Sequence, residues 1–119
     1  TFYCPLKENT YLDMMYMPDA LDAAINIMEA DPTKLIHRNS FNVTAMHFTP
    51  EEIYEEIKKH IPSFKMEYKL DEVRQKIADT WPNWMDDSCA RKEWGFNPKY
   101  NLQSMTIDML DKLSKKFAK

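Results

Sequence analysis

The 119-residue chain contains a single glycine, Gly95, where average usage of about 7% would give roughly eight. Loops that hold a phosphate group need several glycines, because their backbone N–H groups must approach the anion closely. Neither of the common patterns for such loops, G-x-G-x-x-G and G-x-x-x-x-G-K-[ST], is present. The sequence therefore predicts that this chain does not itself seat a nucleotide phosphate.

Cysteine, basic charge and long apolar runs are also scarce. Cys4 and Cys89 show neither metal-ligand nor disulfide spacing, which favours free thiols in a reducing compartment, the cytoplasm or, in a eukaryote, the mitochondrion. The formal net charge is −3 without a basic field, so no nucleic-acid partner is expected. No apolar run approaches the ~20 residues of a membrane span, so no membrane partner is expected either. The C-terminal lysines suit the end of a helix: Lys112, Lys115, Lys116 and Lys119.

Hydrophobic periodicity predicts an α/β chain with the element order β-α-β-α-β-α-α-α and mainly parallel strands. Strands are predicted at residues 11–16, 40–45 and 64–70, the second from the alternation of apolar residues. The five predicted helices begin near Pro18, Thr49, Asp71, Asp86 and Asn101. Leu21, Ala24, Ile25 and Met28 share one apolar face of the first helix. Thr49 and Glu52 have the spacing of a capping box, and Gly95 is predicted to end the fourth helix in the left-handed conformation.

Tyrosine followed four residues later by lysine is a pattern that can transfer a proton, because the lysine favours the phenolate. The pattern occurs twice, at Tyr3 with Lys7 and at Tyr54 with Lys58. Pro5 opposes a helix in the first pair, and Glu55 and Glu56 would oppose a phenolate in the second. About one match is expected by chance, so both are interpreted as chance matches.

Other chemistry-bearing residues have ordinary structural explanations. The histidines lie at no ligand spacing with cysteines or carboxylates, so no metal site is predicted. They are His37, His47 and His60. Asp86 and Asp87 could serve acid–base chemistry, but their place at a helix start favours capping. Trp81 lies in a loop beside Pro82, and a loop tryptophan next to a rigid proline can form one wall of a small-molecule cleft.

Several segments together resemble the short-chain-type L-threonine 3-dehydrogenases of the extended short-chain dehydrogenase and nucleotide-sugar epimerase superfamily. The segment Met14-Met-Tyr-Met-Pro-Asp-Ala20 is the first, and Ala90-Arg-Lys-Glu-Trp-Gly95 is the last. Between them lie the matching residues 41–45, 48–52, 60–62, 73–82 and 86–88. No single segment is diagnostic, but their order and spacing across nearly the whole chain are specific.

The resemblance implies the C-terminal part of such an enzyme. Residues 1–48 would be the end of the Rossmann region, with residues 41–45 as its last strand, and residues 49–119 a small α/β substrate-binding or lid domain. The catalytic tyrosine and lysine and the NAD loop would lie ahead of Thr1, so this chain would hold no catalytic or cofactor-binding residue and would be inactive alone. Since the chain opens with Thr1 rather than Met, its start is expected to be processed or cut.

The implied reaction of the whole protein is hydride transfer from C3 of L-threonine to NAD⁺, which gives 2-amino-3-oxobutanoate. The implied partners are L-threonine, the Rossmann half of the same protein and a second copy in a homodimer. Trp81 is the residue expected to contact substrate, through shape and desolvation, whereas Tyr16 and Asp19 would orient the strand-to-helix corner. Two alternatives remain open: the substrate domain of a nucleotide-sugar epimerase or dehydratase, and a non-catalytic binding module.

Overall fold

The computed structural model describes residues 1–118, and Lys119 of the C-terminal lysine cluster lies outside the described residues. The strands are β1 (Phe2–Cys4), β2 (Leu12–Met14), β3 (Met46–Phe48) and β4 (Met66–Tyr68). The α-helices are α1 (Met17–Glu29), α2 (Pro50–His60), α3 (Glu72–Asp79), α4 (Ser88–Trp94) and α5 (Leu102–Phe117). A 3₁₀ turn, Pro32–Lys34, follows α1. The α/β prediction is therefore confirmed, with all five helices present.

The strands form two small sheets. β1 pairs with β4 in parallel, with Phe2 opposite Met66. β2 pairs with β3 antiparallel, with Leu12 opposite Phe48. The prediction of mainly parallel strands is wrong for the second pair. β1 was not predicted, since three residues are too few to show an alternating pattern.

The prediction of a strand at residues 40–45, which the resemblance implies is the last strand of the Rossmann region, is wrong for this chain. The strand lies instead at Met46–Phe48, and residues 40–45 have no regular structure. Their alternating residues Phe41 and Val43 pack against buried Ala23, Ala90 and Phe96. Within residues 1–118 no strand pairs with this segment, and an extended segment needs a neighbouring strand for its backbone hydrogen bonds.

Local hydrogen bonds set the helix starts. Thr49 and Glu52 form the predicted capping box, with the Glu52 N–H donating to Thr49 Oγ1 at 3.2 Å and the Thr49 N–H donating to Glu52 Oε2 at 2.8 Å. Asp71 accepts the Val73 N–H at 3.0 Å, as predicted for the cap of α3. Gly95 ends α4 with φ of 74°, a conformation that glycine adopts without strain.

Two buried clusters hold the elements together. One joins α1 to α4 and the segment after it through Ala23, Ala90 and Phe96. The other joins β3 to α5 through Met46, Phe48 and Met105. Met15 packs against the first cluster, and its neighbours Met14 and Tyr16 pack against the second, so both clusters contact the segment that leads into α1.

Asp19, in the first turn of α1, is buried and serves as a long-range anchor. Its carboxylate accepts the Lys99 N–H and the Tyr100 N–H, each at 2.9 Å, and its residue is only 2% exposed. An acidic side chain is also favoured at the positive end of the helix dipole. Asp19 therefore fixes the segment before α5 against the start of α1.

The predicted apolar face of α1 is not the face that α1 buries. Leu21, Ile25 and Met28 are 58%, 47% and 77% exposed, whereas Asp19 and Ala23 are buried. The periodicity correctly predicts a helix, but the apolar stripe of this helix is not covered by any element among residues 1–118. No helix in this described part of the chain is both long and apolar enough to cross a membrane.

Candidate functional site

Trp81 follows directly after α3 and is held there by the end of the helix. Its N–H donates to the carbonyl of Ala78 at 3.1 Å, and the Thr80 hydroxyl donates to the carbonyl of Ile77 at 2.7 Å. These bonds continue the helical turn by one step. Trp81 is 51% exposed, so one part of its indole contacts the protein and the other part is free.

The contacting part of Trp81 lines an apolar cavity of about 230 Å³. The other lining residues are Pro5, Leu6, Leu12, Arg74, Ile77 and Ala78. The loop after β1 and the strand β2 supply one wall, and α3 supplies the other. This volume is below the ~300 Å³ at which drug-sized ligand sites begin, and the apolar lining suits a small apolar group.

A polar cavity of about 270 Å³ lies on the other side of Ala78, which lines both cavities. It is lined by Lys7, Asn9, Thr10, Tyr11, Gln75, Ala78, Asp79 and Asn83. Ala78 on α3 therefore borders both an apolar cavity and a group of amide, hydroxyl and carboxylate side chains. Such a pair of surfaces suits a small ligand that has both polar and apolar parts.

Gln75 organises the polar cavity. It is only 5% exposed, and its amide oxygen accepts the Lys7 N–H at 2.8 Å. Its amide nitrogen donates to Asp79 Oδ1 at 2.7 Å and to Thr10 Oγ1 at 3.0 Å. Because these bonds join α3 to the loop between β1 and β2, Gln75 sets the distance between the two walls that meet near Trp81.

The tyrosine–lysine pairs do not form a proton-transfer site with these cavities. Lys58 Nζ lies over the Tyr54 ring, 5.2 Å from its centroid, on the surface of α2. Tyr54 also packs against Phe64, with 5.8 Å between the ring centroids. Tyr3 lies in β1 rather than in a helix and is 57% exposed. Of these four residues only Lys7 lines one of the two cavities near Trp81, so neither pair has both members there. The interpretation of both pairs as chance matches stays a prediction.

Asp86 and Asp87 have separate structural roles. Asp86 Oδ1 accepts the Ser88 N–H at 2.9 Å, so Asp86 caps the start of α4. Asp87 is the N-cap residue by position but makes no side-chain cap bond, and it instead accepts from Arg91 Nε at 2.9 Å. The Ser88 bond is the main cause of a lowered pKa for the Asp86 carboxyl.

A second polar network joins the corner before α1 to α5. The Tyr16 hydroxyl donates to Asp108 Oδ2 at 2.8 Å, and Lys112 Nζ donates to the same oxygen at 2.7 Å. The Lys112 bond, followed by the Tyr16 bond, lowers the pKa of the Asp108 carboxyl. The bond to Asp108 in turn raises the pKa of the Tyr16 phenol. These two bonds tie the corner before α1 to α5.

The fold brings together one group of side chains that sequence spacing did not reveal. His37, Cys89 and Glu93 each offer one possible ligand atom, and these atoms lie within 4.8 Å of one another. Cys89 and Glu93 share one face of α4, but His37 is separated from Glu93 by 56 residues. The sequence shows only the i,i+4 spacing of Cys89 and Glu93, and this spacing does not indicate that His37 lies beside them.

The described residues do not fit the phosphates of NAD. Gly95 is used as the end of α4, with no other glycine in the chain to let backbone N–H groups converge on an anion. The described residues therefore offer no glycine-rich phosphate loop.

Comparison with known proteins gives a consistent picture. The chain is 55% identical over 111 residues to an uncharacterized epimerase/dehydratase of Staphylococcus haemolyticus and 52% identical over 111 residues to one of Staphylococcus aureus strain MRSA252. Each alignment covers 93% of this chain, which spans only 35% of the length of either relative. No protein-family model matches the chain.

Solved structures match the fold closely. L-threonine dehydrogenase from Clostridium difficile superposes with a TM-score of 0.93 at 56% identity, over 97% of this chain and 36% of that one. A GalE-like L-threonine dehydrogenase from Cupriavidus necator gives 0.90 at 46% identity, over 94% and 36%. The enzyme from Phytophthora infestans gives 0.93 at 46% identity, over 98% and 37%. The resemblance predicted from the sequence is thereby confirmed: in sequence and in fold the chain is similar to about one third of an L-threonine dehydrogenase of the GalE-like, extended short-chain kind.

Proposed function

We propose that the chain is the C-terminal, substrate-side portion of an NAD-dependent L-threonine 3-dehydrogenase. The whole protein would transfer hydride from C3 of L-threonine to NAD⁺ and release 2-amino-3-oxobutanoate. The observation that carries this proposal is the similarity to L-threonine dehydrogenases over 94–98% of the chain. Residues 1–48 would close the Rossmann region, and residues 49–119 would form the substrate-binding lid.

The rest of the protein would supply the NAD site, the catalytic tyrosine and the catalytic lysine. The exposed apolar stripe of α1, formed by Leu21, Ile25 and Met28, supports a Rossmann half packed against this helix. The resemblance also implies a homodimer, which sedimentation of the whole protein would test. The two free cysteines agree with a reducing compartment such as the cytoplasm or the mitochondrion.

Trp81 would close one side of the threonine site. Its indole presents apolar surface next to the polar cavity, so it could contact the methyl group of threonine while polar groups face the ammonium and carboxylate. Its role would be to shape the cleft and exclude water, which strengthens electrostatic interactions at the reacting carbon. The indole N–H of Trp81 does not ionise near neutral pH, so proton transfer would fall to other residues.

The arginines favour a dehydrogenase of a small amino acid over an enzyme of sugar nucleotides. A diphosphate would call for converging arginines. Arg74, however, lines the apolar cavity at Trp81, whereas Arg38 lines a separate cavity next to α1. Arg91 pairs with Asp87. A non-catalytic binding module is the remaining alternative, and nothing in the geometry favours it.

The decisive assay is NAD⁺ reduction by L-threonine with the whole protein. We expect Trp81→Ala to lower kcat/KM for threonine by on the order of tenfold or more, with nearly unchanged affinity for NAD. Trp81→Phe should retain most of the activity, because an apolar wall remains. Trp84→Ala is the matched control, since Trp84 is 63% exposed and lines neither of the two cavities near Trp81.

The outcomes separate the three functions. Turnover of UDP-sugars without threonine oxidation would identify an epimerase, and absence of both activities would favour a binding module. Unaltered threonine kinetics in Trp81→Ala would remove Trp81 from the site without touching the dehydrogenase assignment. The 119-residue chain alone should neither bind NAD nor oxidise threonine, and NADH formation by the pure chain would refute this part of the proposal.

A further inference from the structure

His37, Cys89 and Glu93 form a cluster away from the cleft at Trp81. One nitrogen, one sulfur and one carboxylate oxygen lie within 4.8 Å of one another. Cys89 and Glu93 are four residues apart on α4, which places them on the same helix face one turn apart. His37 reaches them from the segment that follows the 3₁₀ turn.

The carboxylate of this cluster is held in place by its surroundings. Glu93 Oε2 accepts the Ile36 N–H at 2.8 Å and the His37 N–H at 3.0 Å, and Oε1 contacts Nδ1 of His37. These contacts hold the carboxylate in one orientation beside the imidazole.

The three side chains differ in their access to solvent in a way that suits ion entry. The Glu93 side chain is 5% exposed, whereas that of His37 is 52% exposed and Cys89 lies at the surface. A fixed inner ligand with two accessible outer ligands allows an ion to reach the carboxylate from water. In proteins, metal ligands are oriented by hydrogen bonds from groups that do not themselves bind the metal, such as the backbone N–H groups of Ile36 and His37.

We propose that His37, Cys89 and Glu93 bind a divalent zinc ion through imidazole nitrogen, thiolate sulfur and carboxylate oxygen. Zinc accepts this mixed set in a tetrahedral arrangement, with water as the fourth ligand. Magnesium and calcium prefer oxygen ligands alone, so the thiolate selects against them. Binding releases the proton of the Cys89 thiol to solvent, together with any proton on the imidazole, and no oxidation is involved.

The bound ion would tie the segment around His37 to α4. Two of the ligands sit on the helix and the third on the facing segment, so the ion would bridge parts of the chain 56 residues apart. The same segment continues into Phe41, which packs against Trp94 with their ring centroids 6.0 Å apart. Zinc would therefore stabilise the packing of this segment and raise the melting temperature of the chain.

The test uses the metal-stripped 119-residue chain, titrated with Zn²⁺ by calorimetry and with Co²⁺ by absorption spectroscopy. We expect one ion per chain and a thiolate-to-cobalt charge-transfer band. Cys89→Ser should abolish the band, and His37→Gln should weaken zinc binding at least tenfold. Cys4→Ala and His47→Gln are the controls, because they remove a thiol and an imidazole outside the cluster, and both should bind as the unmodified chain does.

Three results would overturn the proposal. One is a zinc dissociation constant weaker than about 1 mM, which corresponds to only ~4 kcal/mol of binding free energy. Another is a cobalt band that persists in Cys89→Ser or disappears in Cys4→Ala. The third is equal weakening by His37→Gln and His47→Gln. Circular dichroism of each variant shows whether helix content is retained, and Glu93→Gln, which keeps an oxygen acceptor for Ile36, provides a second variant that should weaken binding.

Discussion

Replacement of Asp19 by alanine is expected to destabilise the fold by about 2–4 kcal/mol. The carboxylate accepts two backbone N–H groups, from Lys99 and Tyr100, at 2.9 Å each. Hydrogen bonds to a charged group contribute roughly 1.5–3 kcal/mol each, so two would sum to about 3–6 kcal/mol. Since Lys99 is exposed and Tyr100 only half-buried, water can partly replace the lost acceptor, and the expected value falls below that sum.

Urea unfolding of the chain, followed by far-ultraviolet circular dichroism, measures this loss. Asp22→Ala is the matched control, because Asp22 lies on the same helix and contacts the same Lys99, but through an exposed ion pair at 3.3 Å. Exposed substitutions of this kind usually change stability by less than about 0.5 kcal/mol. If Asp19→Ala costs no more than Asp22→Ala, then the buried carboxylate does not anchor the segment before α5 and the reasoning is wrong.

Three further predictions concern other polar contacts. Thr49→Ala removes one half of the capping box and should cost about 1 kcal/mol in urea unfolding. Gln75→Leu leaves the Lys7 N–H without its acceptor and should cost about 1–3 kcal/mol, against almost nothing for the exposed Gln103→Leu. Because the pKa of the Asp108 carboxyl is lowered in the folded state, its ionised form stabilises the fold. This stabilisation is present above the pKa of the unfolded state, near 3.9, and is lost as the pH falls through the lower pKa of the folded state. The stability difference between the unmodified chain and Asp108→Asn should therefore shrink in acid and persist at neutral pH.

Helix starts were predictable because their determinants are local. The side chains of Thr49 and Glu52 each accept the backbone N–H of the other residue within one turn, and the Asp71 side chain accepts the N–H of Val73. Gly95 was predictable as a helix end because a left-handed residue is needed there and no other glycine is available. Such features depend on three or four neighbouring residues, and the sequence displays them directly.

Strands and their partners depend on distant residues and were less predictable. Residues 40–45 have the alternation of a strand, yet without a neighbouring strand among residues 1–118 they pack as an irregular segment on Ala23 and Phe96. The stripe of α1 that contains Leu21 and Ile25 was predicted to be apolar, but its partner is absent from the described chain. In both cases the pattern shows which side chains share a face, but it does not show what that face contacts.

The candidate site shows the same division between local and distant information. Trp81 was visible as a loop tryptophan beside a proline, whereas the role of Gln75 depends on contacts with Lys7 and Thr10 more than sixty residues away. His37, Cys89 and Glu93 also converge only in the fold. Single residues with unusual local settings can therefore be found by inspection of the sequence, but the groups that surround them cannot.

The exposed surface of Trp81 sets how much free energy a ligand could gain by covering it. A tryptophan can bury about 150–250 Å², and Trp81 leaves half of its surface in water. Covering roughly half of that area at ~25 cal/mol per Å² would contribute about 2–3 kcal/mol to closure over a ligand. That energy corresponds to a change of roughly 30- to 150-fold in an equilibrium constant at ~1.4 kcal/mol per factor of ten, an upper bound for the loss of kcat/KM in Trp81→Ala. The cavity beneath Trp81 is lined almost wholly by apolar groups, so the free face of the indole, rather than the face that lines the cavity, is where a polar substrate would bind.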